Sequence, residues 1–267
     1  MTVETATKTL VHYSVQDGVA VLEMDDPPAN TYTHDMMRQL DEAILRARMD
    51  DGVHVIVLRG KGDKFFSAGA NISMLQTVTP RFKYFFCLHA NETLNRLEQT
   101  PKLVIAALNG HTVGGGMEIA MACDLRVARR DAGKIGLPEV SLGVLPGTGG
   151  TQRLVRIVGK SKAIDLMVTG RVFSFDEALD LGIVDQVLDP DNFMEQVLAY
   201  AKQFVPPNKA SKAVGLIKRS VQTGAELPFQ DALALERELQ QQLFQSDDAK
   251  EGLSAYVERR TAKFQGK

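Results

Sequence analysis

A chain of 267 residues is long enough to bury most of its apolar surface, either in one large domain or in one domain with a smaller appendage. Apolar residues at 44% and charged residues at 24% exclude a disordered or fibrous chain. The 31 basic and 33 acidic residues leave a net charge of -2, so no overall field draws in nucleic acid or an anionic membrane.

Cys87 and Cys123 lie in no metal-ligand spacing and cannot build a disulfide framework, so both read as reduced core thiols. No stretch approaches the roughly 20 apolar residues of a membrane span. The first residues carry Glu4 where a secretory signal needs a basic start, which makes a cytoplasmic location the expectation.

Val11, Tyr13 and Val15 alternate with polar residues, and Gln16-Asp17-Gly18 turns the chain into a second strand over residues 19–24, predicting an opening hairpin. Thr33 is placed to cap a helix with Met36, Met37, Leu40, Ile44 and Leu45 on one face. VHVIVL (53–58) and KLVIAAL (102–108) are short β-branched runs that read as interior strands. Between them stand a Gly-rich loop, a short helix near residues 71–76 and a long helix over 81–99. Strands alternating with helices predict an α/β fold with functional loops at strand ends.

From about residue 190 the pattern is helical only, broken at Pro206-Pro207, Gly224 and Ser246-Asp247-Asp248. Leu233, Leu235, Leu239, Leu243, Phe244, Leu253 and Tyr256 exceed what a lone helical hairpin hides. The helices are therefore expected to dock on the core or on another subunit.

Gly114, Gly115 and Gly116 lie between a buried strand and a helix start, where bare backbone and unpaired amides favour an anion or a developing oxyanion. Close packing of helix on strand would use the same glycines. Neither GxGxxG nor a Walker-type ending is present, which leaves nucleotide binding without support. KFFSAGANI (64–72) is a second strand-to-helix loop, and an amide from each loop on one oxygen would suit acyl-transfer or enolate chemistry. Glu118 follows the glycines in the first helical turn. Glu139 sits in the loop GLPEVSLGVLPGTGG, near enough in chain topology to return beside it; taken singly, each could be an ordinary helix-start or loop carboxylate.

SAGAN (67–71), NGHTVGGGMEIAMACD (109–124) and GLPEVSLGVLPGTGGTQRL (136–154) together resemble the crotonase superfamily, and within it enoyl-CoA hydratases. The resemblance continues through VTGRVFSFDEALDLGIVDQV (168–187) to KEGLSAYVERR (250–260), nearly the whole chain. It implies an α/β fold of crotonase type, a spiral of β-β-α units over residues 1–190, with a C-terminal helical trimerisation region over 191–267. The implied assembly is a trimer or a dimer of trimers. Ala68 and Gly115 would be the oxyanion-hole donors, and Glu118 and Glu139 the catalytic pair holding one water. Glu118 would help deprotonate that water and Glu139 would protonate the α-carbon. Two adjacent carboxyls should titrate as a coupled pair.

The resemblance further assigns Ala70, Ile72, Met74, Leu75, Gly147 and Phe244 to substrate binding and Lys263 to a CoA phosphate. Gly147 could equally serve a tight turn, whereas the residues themselves favour core packing for Met74, Leu75, Tyr84 and Phe244 and a solvated tail for Lys263. Coenzyme A enters as part of the substrate; no other cofactor and no metal are implied. Relatives commonly read AGAD where this chain has Asn71, and Asn can still cap the short helix. His111 is expected to be structural.

The expected activity is reversible syn hydration of a 2-enoyl-CoA in acyl-CoA and fatty-acid metabolism. The alternatives on the same scaffold are double-bond isomerisation, thioester hydrolysis and retro-aldol cleavage; isomerases of the family usually manage with one acid/base residue, at the position matching Glu139. An RNA-binding role is not expected, because the helix THDMMRQLDEAILRARMDD mixes Arg38, Arg46 and Arg48 with acids and forms no basic stripe.

Overall fold

The computed structural model describes residues 8–267, so Glu4 lies outside the described residues. Strands β1 (Val11–Gln16) and β2 (Val19–Met24) form the expected antiparallel hairpin. Asp17 and Gly18 take positive φ in its turn. Helix α1 (His34–Met49) starts where the Thr33 side chain accepts the Met36 amide, and it buries Met36, Met37, Leu40 and Ile44.

Three turns of one pattern follow. β3 (Val55–Gly60), β4 (Phe65–Ser67) and helices α2 (Ile72–Thr77) and α3 (Pro80–Gln99) make the first. β5 (Leu103–Leu108), β6 (His111–Val113) and α4 (Gly115–Met121) make the second. β7 (Leu125–Arg129), β8 (Lys134–Gly136), a 3-10 turn over Glu139–Leu142 and α5 (Gly150–Val158) make the third. Helix α6 (Lys160–Thr169), β9 (Val172–Ser174), α7 (Phe175–Asp180) and β10 (Gln186–Leu188) close the spiral.

In each turn the first strand joins a six-stranded sheet ordered β1-β2-β3-β5-β7-β10, and the second joins a four-stranded sheet ordered β4-β6-β8-β9. The chain thus coils as ββα units, as the resemblance implied. All neighbouring pairs are parallel except β1-β2 and β8-β9.

The apolar runs of β3 and β5 are continuous because both faces are covered. Ile56, Leu58, Val104, Ala106 and Leu108 face the main core. Val55, Val57, Ile105 and Ala107 face a second one closed by Phe193, Val197 and Ala201. Each of these larger side chains contributes about 1.5–3 kcal/mol by burial. The three closing residues lie on α8 (Phe193–Lys202), so the first helix beyond residue 190 is a lid on the sheet rather than part of an appendage.

Helices α9 (Ser211–Gly224), α10 (Phe229–Phe244) and α11 (Asp247–Glu258) complete the chain. A buried ion pair from Lys218 to Asp124, at 2.8 Å, pins α9 to the core. Leu239 is buried, whereas Phe229, Phe244, Leu253, Tyr256 and Val257 remain exposed on the single chain.

Candidate active site

Parallel pairing of β4 with β6 matches Phe65 to His111 and Ser67 to Thr112, so the loops leaving these strands lie side by side. Glycine lets them touch. A Cβ on Gly69 would stand 2.7 Å from the Gly115 amide nitrogen, and one on Gly116 would overlap the Ser67 carbonyl. Gly114 turns the chain into α4 at φ 56°, in the left-handed region that glycine adopts without a Cβ clash.

This contact corrects the assignment of the first oxyanion donor. The Ala68 amide already donates to the Ala29 carbonyl at 2.9 Å, and an N–H spent on a backbone carbonyl is not free for a thioester. Two residues on, Tyr32 donates to the Gly69 carbonyl at 2.9 Å and accepts from the Asn71 amide at 3.0 Å. That pairing leaves the Ala70 amide, between them, without an acceptor among the described residues, as it leaves the amide of Gly115. Ala70 and Gly115 both line a cavity of about 310 Å³. They, rather than Ala68 and Gly115, are the two amides the loops make available.

Glu118 and Glu139 enter the same cavity from opposite supports. Glu118, on α4, is only 2% exposed. Its Oε1 accepts the amides of Thr148 and Gly150, each at 2.7 Å. Burial leaves its pKa above the usual carboxylate value, and the two amides and the Arg153 guanidinium, which favour the charged form, offset this only in part. Arg153 belongs to the support: it donates to the Thr148 carbonyl at 3.0 Å and pairs in bidentate fashion with Glu98.

Glu139 opens the 3-10 turn. Its Oε2 is buried without a partner, and its pKa is pushed up to about 7. Burial is the main cause, Glu118 adds to it and Lys83 opposes it. Burial raises both carboxyls, but only Glu118 is cradled by fixed donors, so when the coupled pair shares one proton it belongs on Glu139, the division of labour that acid–base chemistry needs.

Of the other residues expected to bind substrate, Ile72, Leu75 and Gly147 line the cavity, as does Ala68. Met74 does not: it packs against the main core, because α2 turns that face inward. Phe244 is 65% exposed at the end of α10 and lines no part of the cavity. Tyr84 is likewise exposed on α3. Lys263 lies outside the cavity, in a depression with Asp247, Asp248, Glu251 and Arg260, where the tail folds back onto α11. Asn71 accepts the Met74 amide at 2.9 Å and so caps α2. His111 accepts the Lys134 amide and packs on Phe65, which is a structural role.

Sequence reasoning missed Tyr32, Lys83 and Thr148, all of which line the cavity. Thr148 sits inside the PGTGG turn and could have been suspected there. Tyr32 follows a Pro-rich turn with no local pattern to mark it.

The Enoyl-CoA hydratase/isomerase family model matches residues 14–267. The chain belongs to that family. A probable enoyl-CoA hydratase of Bacillus subtilis (strain 168) is 36% identical over 258 residues, covering 96% of this chain and 98% of its own. A short-chain-enoyl-CoA hydratase of Clostridium acetobutylicum is 38% identical, covering 91% and 92%. A crystal structure titled as an enoyl-CoA hydratase from Geobacillus kaustophilus superposes with a TM-score of 0.95 at 44% identity, covering 98% of each chain. Family membership thus spans both the spiral and the C-terminal helices.

Proposed function

We propose that this protein is an enoyl-CoA hydratase that adds water reversibly, in syn fashion, to the α,β double bond of a 2-enoyl-CoA. The observation that carries this reading is the paired setting of Glu118 and Glu139 facing two free amides in one cavity. The thioester oxygen accepts from the Ala70 and Gly115 amides, each contributing on the order of 3 kcal/mol as negative charge grows on it. That polarisation makes the β-carbon electrophilic. Glu118, ionised, takes a proton from the attacking water, and Glu139, protonated, delivers one to the α-carbon on the same face. Dehydration reverses both transfers.

Isomerisation alone needs one acid/base residue, and hydrolysis needs water at the carbonyl carbon. The second carboxylate, with its own cradle of amides, favours hydration over both. The chemistry consists of proton transfers and carbonyl polarisation, so we assign it no metal and no cofactor beyond the coenzyme A of the substrate. Relatives named for short-chain and crotonyl thioesters, the latter from Syntrophomonas wolfei at 36% identity, make crotonyl-CoA the first substrate to test.

The exposed apolar side chains of α10 and α11 support self-association as a trimer or dimer of trimers. No described helix is long and apolar enough to cross a membrane. Cytoplasmic acyl-CoA metabolism is the setting we assign.

The direct test is loss of the conjugated thioester absorbance on adding purified protein to crotonyl-CoA. Glu118→Gln and Glu139→Gln should each lower kcat by about 100- to 10,000-fold. Unchanged turnover in both variants would refute the reading.

A further inference from the structure

We infer that Tyr32 is a positioning residue of this site, joining the oxyanion amides to the Glu118 cradle in one rigid unit. The inference rests on the hydratase reading for its kinetic consequences, but its geometry stands apart from it. Three contacts made by one residue carry it.

The first is the backbone. Tyr32 forms an isolated parallel bridge with Ala70, its amide on the Gly69 carbonyl and its carbonyl on the Asn71 amide. These two bonds hold the loop on either side of the free Ala70 amide. The second is the ring. A Cβ on Gly115 would overlap the Tyr32 hydroxyl and ring edge, so the phenol lies directly behind the other free amide. Phe86 backs the ring in turn, with centroids 5.8 Å apart.

The third is the hydroxyl. Tyr32 Oη and Thr148 Oγ1 are 2.9 Å apart, and both residues are buried. Packing alone does not explain a phenol here: a buried hydroxyl is costly unless bonded, and Phe would fill the same space. Its partner is the residue whose amide donates to Glu118 at 2.7 Å. The phenol–hydroxyl bond therefore braces the residue whose amide holds Glu118. By fixing Thr148, Tyr32 holds in place an amide that favours the ionised form of Glu118.

The charged and titratable groups facing this chain come from several elements. Arg153 of α5, itself paired with Glu98 of α3, faces Glu118; Glu139 and Cys87 face Tyr32; Lys83 of α3 faces Glu139. None of them bonds the Tyr32 hydroxyl among the described residues, which leaves Thr148 as its route to Glu118.

Tyr32→Phe removes one oxygen and keeps the ring; Thr148→Val removes the other hydroxyl and keeps the amide to Glu118. Each should lower kcat for crotonyl-CoA on the order of tenfold, with KM changed far less. Because the lost bond braces the Thr148 amide that favours the charged form, each should move the acid limb of the kcat profile to higher pH, by about half a unit or more. The double variant should be no worse than the poorer single one, and Thr148→Ser should fall nearer wild type than Thr148→Val.

A second readout needs no turnover: infrared titration of the carboxyl band that Glu118→Gln abolishes. Its midpoint should rise in both single variants. An unmoved midpoint and acid limb, or single-variant effects that multiply in the double variant, would overturn the inference. If wild type hydrates nothing, the hydratase reading falls, and the infrared midpoint still decides the role of Tyr32.

Discussion

Glu139→Gln separates function from stability, because the feature that suits Glu139 to catalysis should weaken the fold above neutrality. Its carboxyl is half-buried with one oxygen unpartnered, and its pKa is pushed from 4.5 up to about 7. A folded-state pKa above the unfolded value means that the native protein binds this proton more tightly. The associated stability is fully present below about pH 4.5 and is lost as pH rises toward 7. Expressed in full, such a shift would correspond to about 3 kcal/mol, but partial exposure of the group reduces the expected effect to the order of 1 kcal/mol. Gln keeps the shape and cannot ionise. Urea denaturation from pH 4 to 8 should therefore show Glu139→Gln gaining on wild type as pH rises, with the gain complete by about pH 8, while hydration is nearly abolished. A stability difference that does not vary with pH, or that grows toward acid, would refute the reasoning.

Other sites give independent checks. Wild-type hydration and dehydration should both fall as pH rises through about 7 in initial-rate profiles, because each direction needs one proton on the Glu118–Glu139 pair. Gly116→Ala drives a methyl into the Ser67 carbonyl and should part the two loops, lowering kcat at least 100-fold in the crotonyl-CoA assay. Asn71→Ala removes the cap of α2 and should cost about 1 kcal/mol in denaturant titration, whereas Asn71→Asp should keep it. Lys218→Met strands the buried Asp124 carboxylate and should cost about 3 kcal/mol in the same measurement.

Much of the scaffold was legible because its signals are local. The Asp17-Gly18 turn, the Thr33 cap and the apolar runs of β3 and β5 each declare themselves within a few residues, and all formed, with β3 two residues later than the run over 53–58 implied. The four strands of the smaller sheet carry only three residues each, too few for a period, and they pair across distant parts of the chain. The family resemblance directed attention to the glycine turn and to both glutamates. It did not reveal which amide of the SAGAN loop is free, since that is decided by a tertiary bond from Ala68 to Ala29. Tyr32 was hidden for the same reason: it reaches Ala70, Gly115 and Thr148 only after folding. Met74 was misjudged because helical position alone does not say which face α2 turns to the core.

The central claim is that one water, held between Glu118 and Glu139, adds across the double bond. Incubating crotonyl-CoA with the protein in heavy-oxygen, deuterated water and analysing the product by mass spectrometry and NMR tests it most directly. Early product should be a 3-hydroxyacyl-CoA with one solvent oxygen at C3 and one deuterium at C2, added on the same face, and should not form with Glu118→Gln or Glu139→Gln. Solvent oxygen in a released carboxylate, deuterium without added oxygen, or anti addition would contradict it.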